Sequence, residues 1–228
     1  MIGSKAIGTV AYMGGVFAVP ELFCWSWGQM VQHNQEMFCQ GAEYIHYDRA
    51  TFSYHQTARN SLAHNMLGDW IVMLDTDHQF EPDIIARMVR LADDNEFDVL
   101  SGLYRFKKEP YTPVAYKRNP HLDDRLQPIA VYDKECKAIE IDAAGGGCLF
   151  VRRCVFDRID AELHELPFSQ ILELSEDHSF FSRCKRLEIR AFLSLQIESE
   201  HLTYCPVTSD YEDADWGKLS ETIEVEGR

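Results

Sequence analysis

The sequence predicts an α/β fold: one domain with a mixed, mostly parallel central sheet flanked by helices and a Rossmann-like N-terminal half. Three observations carry that prediction. Apolar runs of strand length alternate with runs of helical spacing over about the first hundred residues. The run Trp70-Ile71-Val72-Met73-Leu74 is short, unbroken and β-rich, which suits a strand covered on both faces. It ends at two carboxylates, Asp75 and Asp77, and ligands of open α/β sheets gather at the carboxyl ends of strands.

The elements follow in order. Residues 6–12 (AIGTVAY) read as a first buried strand, and Met13-Gly14-Gly15 as a flexible turn that matches no phosphate-loop fingerprint. Residues 22–39 place Phe23, Trp27, Met30, Val31 and Phe38 at helical spacing. Residues 43–47 form a short second strand, and 48–55 a polar, aromatic loop. The helix over 56–67 carries Ala58, Leu62, Ala63 and Met66 on one side. Arg59 falls near its first turn, where a cation opposes the helix macrodipole; a nearby anion or a surface salt bridge accounts for it. Pro82 opens the next helix, whose apolar face is Ile84, Ile85, Met88, Val89 and Ala92.

Residues 98–104 form another buried strand. The proline-rich stretch 105–133 reads as loops and short strands, with Lys107, Lys108, His121 and Arg125 solvated. Strands over 138–142 and 148–151 flank Gly145-Gly146-Gly147. Glycines inside a sheet weaken it unless something approaches closely, so a substrate passing over the backbone or a β-bulge explains them. Ser175 caps a helix with Glu176 and Asp177 in its first turn. A strand over 191–195 precedes His201. Residues 1–208 are expected to form the domain, and 209–228 an acidic tail or lid.

Composition narrows the function. The hydrophobic fraction of 46% in 228 residues is enough for a real core. A net charge of −15 argues against non-specific adhesion to nucleic acid or anionic lipid, and leaves a local basic patch open. A nucleic-acid acceptor requires Lys107, Lys108, Arg118, Arg152 and Arg153 to cluster. The 7 cysteines are odd in number and lack a C-x-x-C pair. They read as buried free thiols in a reducing compartment, with the cytoplasm as the expected location. The weakly charged stretch 6–35 is broken by Gly14, Gly15 and Pro20, so no membrane span is expected.

Alternating side chains put Asp75 and Asp77 on one side if the extended backbone persists. Two carboxylates aimed together repel each other, and a hard divalent cation with oxygen ligands relieves them. A solvated loop ahead of a helix is the plainer reading.

Four segments, in order, resemble the family-2-like glycosyltransferases of the GT-A fold. They are Ala58-Arg59-Asn60, the strand-end Asp75-Thr76-Asp77, the glycine turn from Asp142 to Gly147 followed by Arg152-Arg153, and Glu176-Asp177 on a helix ahead of His201. The similarity spans residues 6–205. It implies a nucleotide-sugar donor, with a UDP-sugar favoured, and transfer to an acceptor hydroxyl with inversion. It implies Asp75, Asp77 and His201 as metal ligands, and Arg59, Asp75, Gly146 and Gly147 as donor contacts. Asp177 is then the general base, with Glu176 beside it positioning the acceptor. An imidazole ligand favours manganese over magnesium. Asp48, in a Tyr-Asp-Arg setting, is the acid available for the nucleotide base. Glu188 stands where the family often has glycine. The acceptor is not readable. A nucleotidyltransferase acting on a sugar phosphate is disfavoured, because Met13-Gly14-Gly15-Val16 carries no cation. A catalytically silent nucleotide-sugar-binding module is disfavoured by the presence of Asp75, Asp77 and Asp177 together.

Overall fold

The structure is a computed structural model that describes residues 6–14, 19–51, 54–122, 125–129 and 136–203. The acidic tail expected over 209–228, the turn residue Gly15 and Cys205 lie outside the described residues.

The first half runs β1 (Gly8–Met13), α1 (Glu21–Cys39), β2 (Ile45–Ala50), α2 (His55–Asn65), β3 (Trp70–Asp75), β4 (His78–Phe80), α3 (Ile84–Asp94) and β5 (Val99–Leu103). The second half adds β6 (Ala115–Asn119), β7 (Arg125–Pro128), β8 (Ala138–Ile141), β9 (Ala143–Ala144), β10 (Cys148–Arg152), α4 (Arg153–Arg158), α5 (Glu176–Arg186) and β11 (Ala191–His201). The main sheet has the order β2-β1-β3-β10-β5-β11-β4, with β8 beside β11. β1 is parallel to β2 and β3, and β5 to β11, while β10 runs antiparallel between β3 and β5. β6, β7 and β9 form a small second sheet.

The apolar run at 70–74 is buried on both faces, as its composition requires. Ile71 and Met73 enter one core with α2 and α5, through Leu62, Phe180 and Phe181. Trp70, Val72 and Leu74 enter the other with α1 and α3, through Phe23, Met30, Ile84 and Met88. Each such side chain contributes about 1.5–3 kcal/mol by leaving water.

Registers align the strand ends. Met13, Ala50 and Asp75 lie side by side at the carboxyl edge of β2-β1-β3. Antiparallel β10 brings its start to the same edge, with Cys148 opposite Leu74 and the Asp75 N–H donating to the Gly147 carbonyl at 2.9 Å. The glycine turn 145–147 and the acids at 75 and 77, about seventy residues apart in sequence, therefore meet through sheet topology.

Several sequence expectations need correction. β2 continues through Asp48, Arg49 and Ala50, because parallel pairing to β1 extends past the short apolar stretch. The strand ends at Asp75, and Thr76-Asp77 turn into β4, so the two acids are not on one extended backbone. Pro82 lies in the turn ahead of α3, which starts at Ile84 after Asp83. Of the six described cysteines only Cys148 and Cys184 are buried; Cys24, Cys39, Cys136 and Cys154 are exposed, all as free thiols. The basic residues do not gather. Arg152 pairs opposite Trp70, at the sheet edge remote from Asp75, and is held by Asp93 and Asp98, whereas Lys107 lies beside Asp77. No helix among the described residues is long and apolar enough to cross a membrane.

Candidate active site

The site is built at the carboxyl edge of β3 from two groups of side chains. The first centres on Arg59. α2 packs its Ala58, Leu62 and Ala63 into the core, and this carries the neighbouring Arg59 beneath the sheet edge with 1% of its side chain exposed. Its guanidinium meets four oxygen-bearing partners besides the Met73 sulfur. Nη2 donates to Asp75 Oδ1 at 3.1 Å, Nη1 to the Gly146 carbonyl at 2.9 Å, and Nε lies 3.2 Å from Asp177 Oδ1 and 3.6 Å from Glu176 Oε1. A charge this deep persists only when paired, and three carboxylates hold it charged despite the cost of burial.

α5 delivers Glu176 and Asp177. Its cap is the one anticipated: the Ser175 hydroxyl accepts from the His178 N–H at 3.2 Å. Asp177 also receives the Gly146 N–H. Burial raises its carboxyl to about 6, against the lowering pull of Arg59. Asp177 Oδ1 has no hydrogen-bond donor, for Arg59 Nε is close without being aligned to it.

The second group surrounds Asp77. His201, the last residue of β11, pairs directly opposite His78, the first of β4. His201 Nδ1 is 2.8 Å from the Arg105 carbonyl, which only accepts, so Nδ1 carries the hydrogen there. In the neutral ring Nε2 then presents a lone pair, 3.3 Å from Asp77 Oδ2. Two lone pairs facing each other call for a proton or a cation between them. His78 is fully buried. Its Nδ1 meets the Ser199 hydroxyl at 2.9 Å, while Nε2 has no hydrogen-bond partner and lies 3.9 Å from Asp77 Oδ1. Burial lowers its pKa to about 4, keeping the ring neutral and able to ligate. One ligand atom each from Asp77, His78 and His201 falls within 4.8 Å of the others, a donor set that fits a transition-metal ion. The carboxylate of Asp75 is outside this group, engaged by Arg59. Burial works against the Asp77 carboxylate, but the His201 ring with a proton on Nε2 and the Lys107 ammonium, 2.7 Å from Oδ2, hold it well below the usual carboxylate range.

The glycine turn serves the protein's own side chains. A Cβ on Gly145 would collide with Tyr104, on Gly146 with the Arg59 guanidinium, and on Gly147 with the His78 ring. The groups that approach this backbone in the structure are these three side chains.

The structure thus brings Arg59, Asp75, Gly146, Glu176 and Asp177 into contact, and Asp77 with His201. Asp48 stays on β2, accepting from the Arg49 N–H. Sequence reading passed over His78 and took Lys107 as solvated, whereas it pairs with Asp77. The adjacency of His78 to the paired acids was the available signal for the first; nothing local distinguished Lys107 from its neighbour.

Comparison with known proteins bears on this arrangement. The family model described as Glycosyl transferase family 2 matches residues 29–160. No curated protein matches by sequence. Among solved structures, A197 from STIV is similar with a TM-score of 0.57 at 17% identity, covering 86% of each chain. GalNAc-T7, crystallised with UDP, GalNAc and Mn2+, gives a TM-score of 0.59 at 10% identity; the match covers 87% of this chain and 43% of that one. These likenesses are of fold.

Proposed function

The chain belongs to glycosyl transferase family 2, and from that premise we propose that it moves a sugar from a UDP-sugar to an acceptor hydroxyl, with inversion. The observation that carries the reading is the division of the acids within one site. Asp77 faces two imidazoles, and Asp177 stands apart with an unsatisfied carboxylate oxygen.

The residues divide the work accordingly. Asp77, His78 and His201 would hold a divalent cation. When bound, such an ion supplies Lewis-acid stabilisation of the charge that develops on the departing diphosphate. Two nitrogen donors favour manganese over magnesium, and GalNAc-T7 with its UDP and Mn2+ supplies the analogy for nucleotide and metal. Asp75, 29% exposed, borders the cleft on the donor side, with Arg59 and the Gly146-Gly147 backbone fixing its position.

Asp177 takes the proton of the acceptor hydroxyl. The acceptor oxygen forms its bond to the anomeric carbon as the bond to phosphate breaks, and the electron pair leaves with the nucleoside diphosphate. A single displacement of this kind inverts the centre. Glu176, 3.6 Å from His55 Nδ1, lines the side by which the acceptor enters.

The test is a panel of UDP-sugars assayed for binding, for transfer to small hydroxyl acceptors and for hydrolysis, with Mn2+, with Mg2+ or with excess chelator. Turnover is expected with Mn2+ alone, and to be lost in folded Asp75→Asn and Asp77→Asn variants. Equal nucleotide affinity in chelator would overturn the metal role, and faster turnover with Mg2+ would overturn the metal preference.

A further inference from the structure

We propose that Lys107 is the resting counter-ion of the metal site: its ammonium neutralises Asp77 in the unloaded protein and transfers to the donor's diphosphate when a divalent cation takes its place. The inference rests on the metal and donor reading given above.

The geometry is direct. Lys107 Nζ and His201 Nε2 share one oxygen, Asp77 Oδ2, at 2.7 and 3.3 Å. That oxygen belongs to the carboxylate facing both imidazoles of the metal-binding set, so a cation bound there displaces the ammonium. Two positive groups cannot occupy one carboxylate lone-pair region without strong repulsion.

The chain around Lys107 is suited to the exchange. The excursion between β5 and β6 closes on itself: Arg105 bridges Pro113, the Phe106 N–H donates to the Thr112 carbonyl at 3.0 Å, and the Tyr111 N–H to the Lys108 carbonyl at 3.0 Å. A cleft of about 480 Å³ runs between this excursion and His201, lined by Phe106, Lys107, Lys108, Glu109, Pro110 and Thr112. The Lys107 side chain is one-third exposed, so its ammonium can swing into that cleft while its backbone stays put. The anion that arrives with the metal is the diphosphate, and an ammonium released at the metal's side is within reach of it.

The consequence is coupling. Free protein takes up metal poorly, because Lys107 competes for Asp77. Metal and nucleotide together load well, because the displaced charge finds a new partner. Reciprocity requires each to raise the other's affinity by the same factor.

The experiment measures Mn2+ affinity by electron paramagnetic resonance, without nucleotide and with saturating UDP, in wild type, Lys107→Met, Lys107→Arg and Lys108→Met. Lys107→Met is expected to bind Mn2+ alone about fivefold or more tightly than wild type, and UDP at saturating Mn2+ less tightly, so that the coupling factor shrinks. Lys107→Arg and Lys108→Met should each stay within about twofold of wild type in Mn2+ affinity, the first because it keeps the charge at Asp77 and the second because it removes the same charge one residue away. Equal Mn2+ affinity in wild type and Lys107→Met overturns the proposal alone, as does an equal rise in Lys108→Met, which would mark a diffuse field. Wild type that binds no Mn2+ even with UDP overturns this proposal and the metal reading together.

Discussion

Asp177 shows how a single carboxylate can be kept basic beside an arginine. Its Oδ1 lies 3.2 Å from Arg59 Nε, yet no N–H is aligned on it, and burial outweighs the arginine's pull. Asp177→Asn keeps the shape and the Gly146 contact while removing the proposed base, so turnover should fall by roughly 10²–10⁴-fold with Mn2+ and UDP binding retained. A variant with normal turnover would shift the role to Glu176. The pH profile adds a second readout. The base must be ionised, so kcat/KM should fall as pH drops through about 6. Stability moves the opposite way. A carboxyl whose folded pKa is raised costs stability above that value, and the cost is relieved as pH falls from about 6 toward the ordinary carboxylate range. Parallel pH series of turnover and melting temperature would therefore diverge at this residue. The acid pair itself was legible in the sequence, because a capped helix start with two acids is a local pattern. The destination of Arg59 was not: its partners lie 16 to about 118 residues away, and no local spacing encodes a contact across the sheet edge.

At the scale of elements, periodicity located β1, β3, β5, β10 and all the long helices, and it failed where tertiary pairing overrode composition. β2 runs through the polar Asp48-Arg49 because β1 offers it a ladder. β4 is a three-residue strand that exists because β11 reaches it, and that pairing alone sets His78 opposite His201. One departure noted in the sequence has a structural cost. Glu188 follows α5 with φ of 57°, the left-handed conformation that glycine adopts freely at helix ends. The Ile189 N–H donates from just beyond it to the Cys184 carbonyl at 2.8 Å, closing the helix, so the conformation is required. Glu188→Gly should therefore raise stability, by up to about 1 kcal/mol after the extra backbone entropy glycine loses on folding. Urea titration reads this as a higher midpoint with an unchanged slope. A lowered midpoint would mean that the glutamate makes a compensating contact.

For the whole molecule, Arg59 is the point at which distant parts of the chain are joined. It links α2 to the end of β3, to the turn before β10 and to the start of α5, from beneath the site and almost fully buried. The glycine at 146 is needed because the guanidinium fills the space a Cβ would take. This makes the site and the fold interdependent, so Arg59→Met is expected to be costly even though methionine fills much of the volume. Removing one partner of a buried ion network leaves uncompensated charge and costs about 3–5 kcal/mol. For a domain of this size that corresponds to a fall in melting temperature of roughly 6–20 °C. The sign of its pH dependence separates lost charge from lost packing. Without the guanidinium the lowering pull on Asp177 is gone, its carboxyl rises further, and the variant gains stability relative to wild type as acidification neutralises it. A deficit that is constant from neutral to mildly acidic pH would instead assign Arg59 a packing role, and the carboxylates would then owe their positions to the sheet and the Ser175 cap alone.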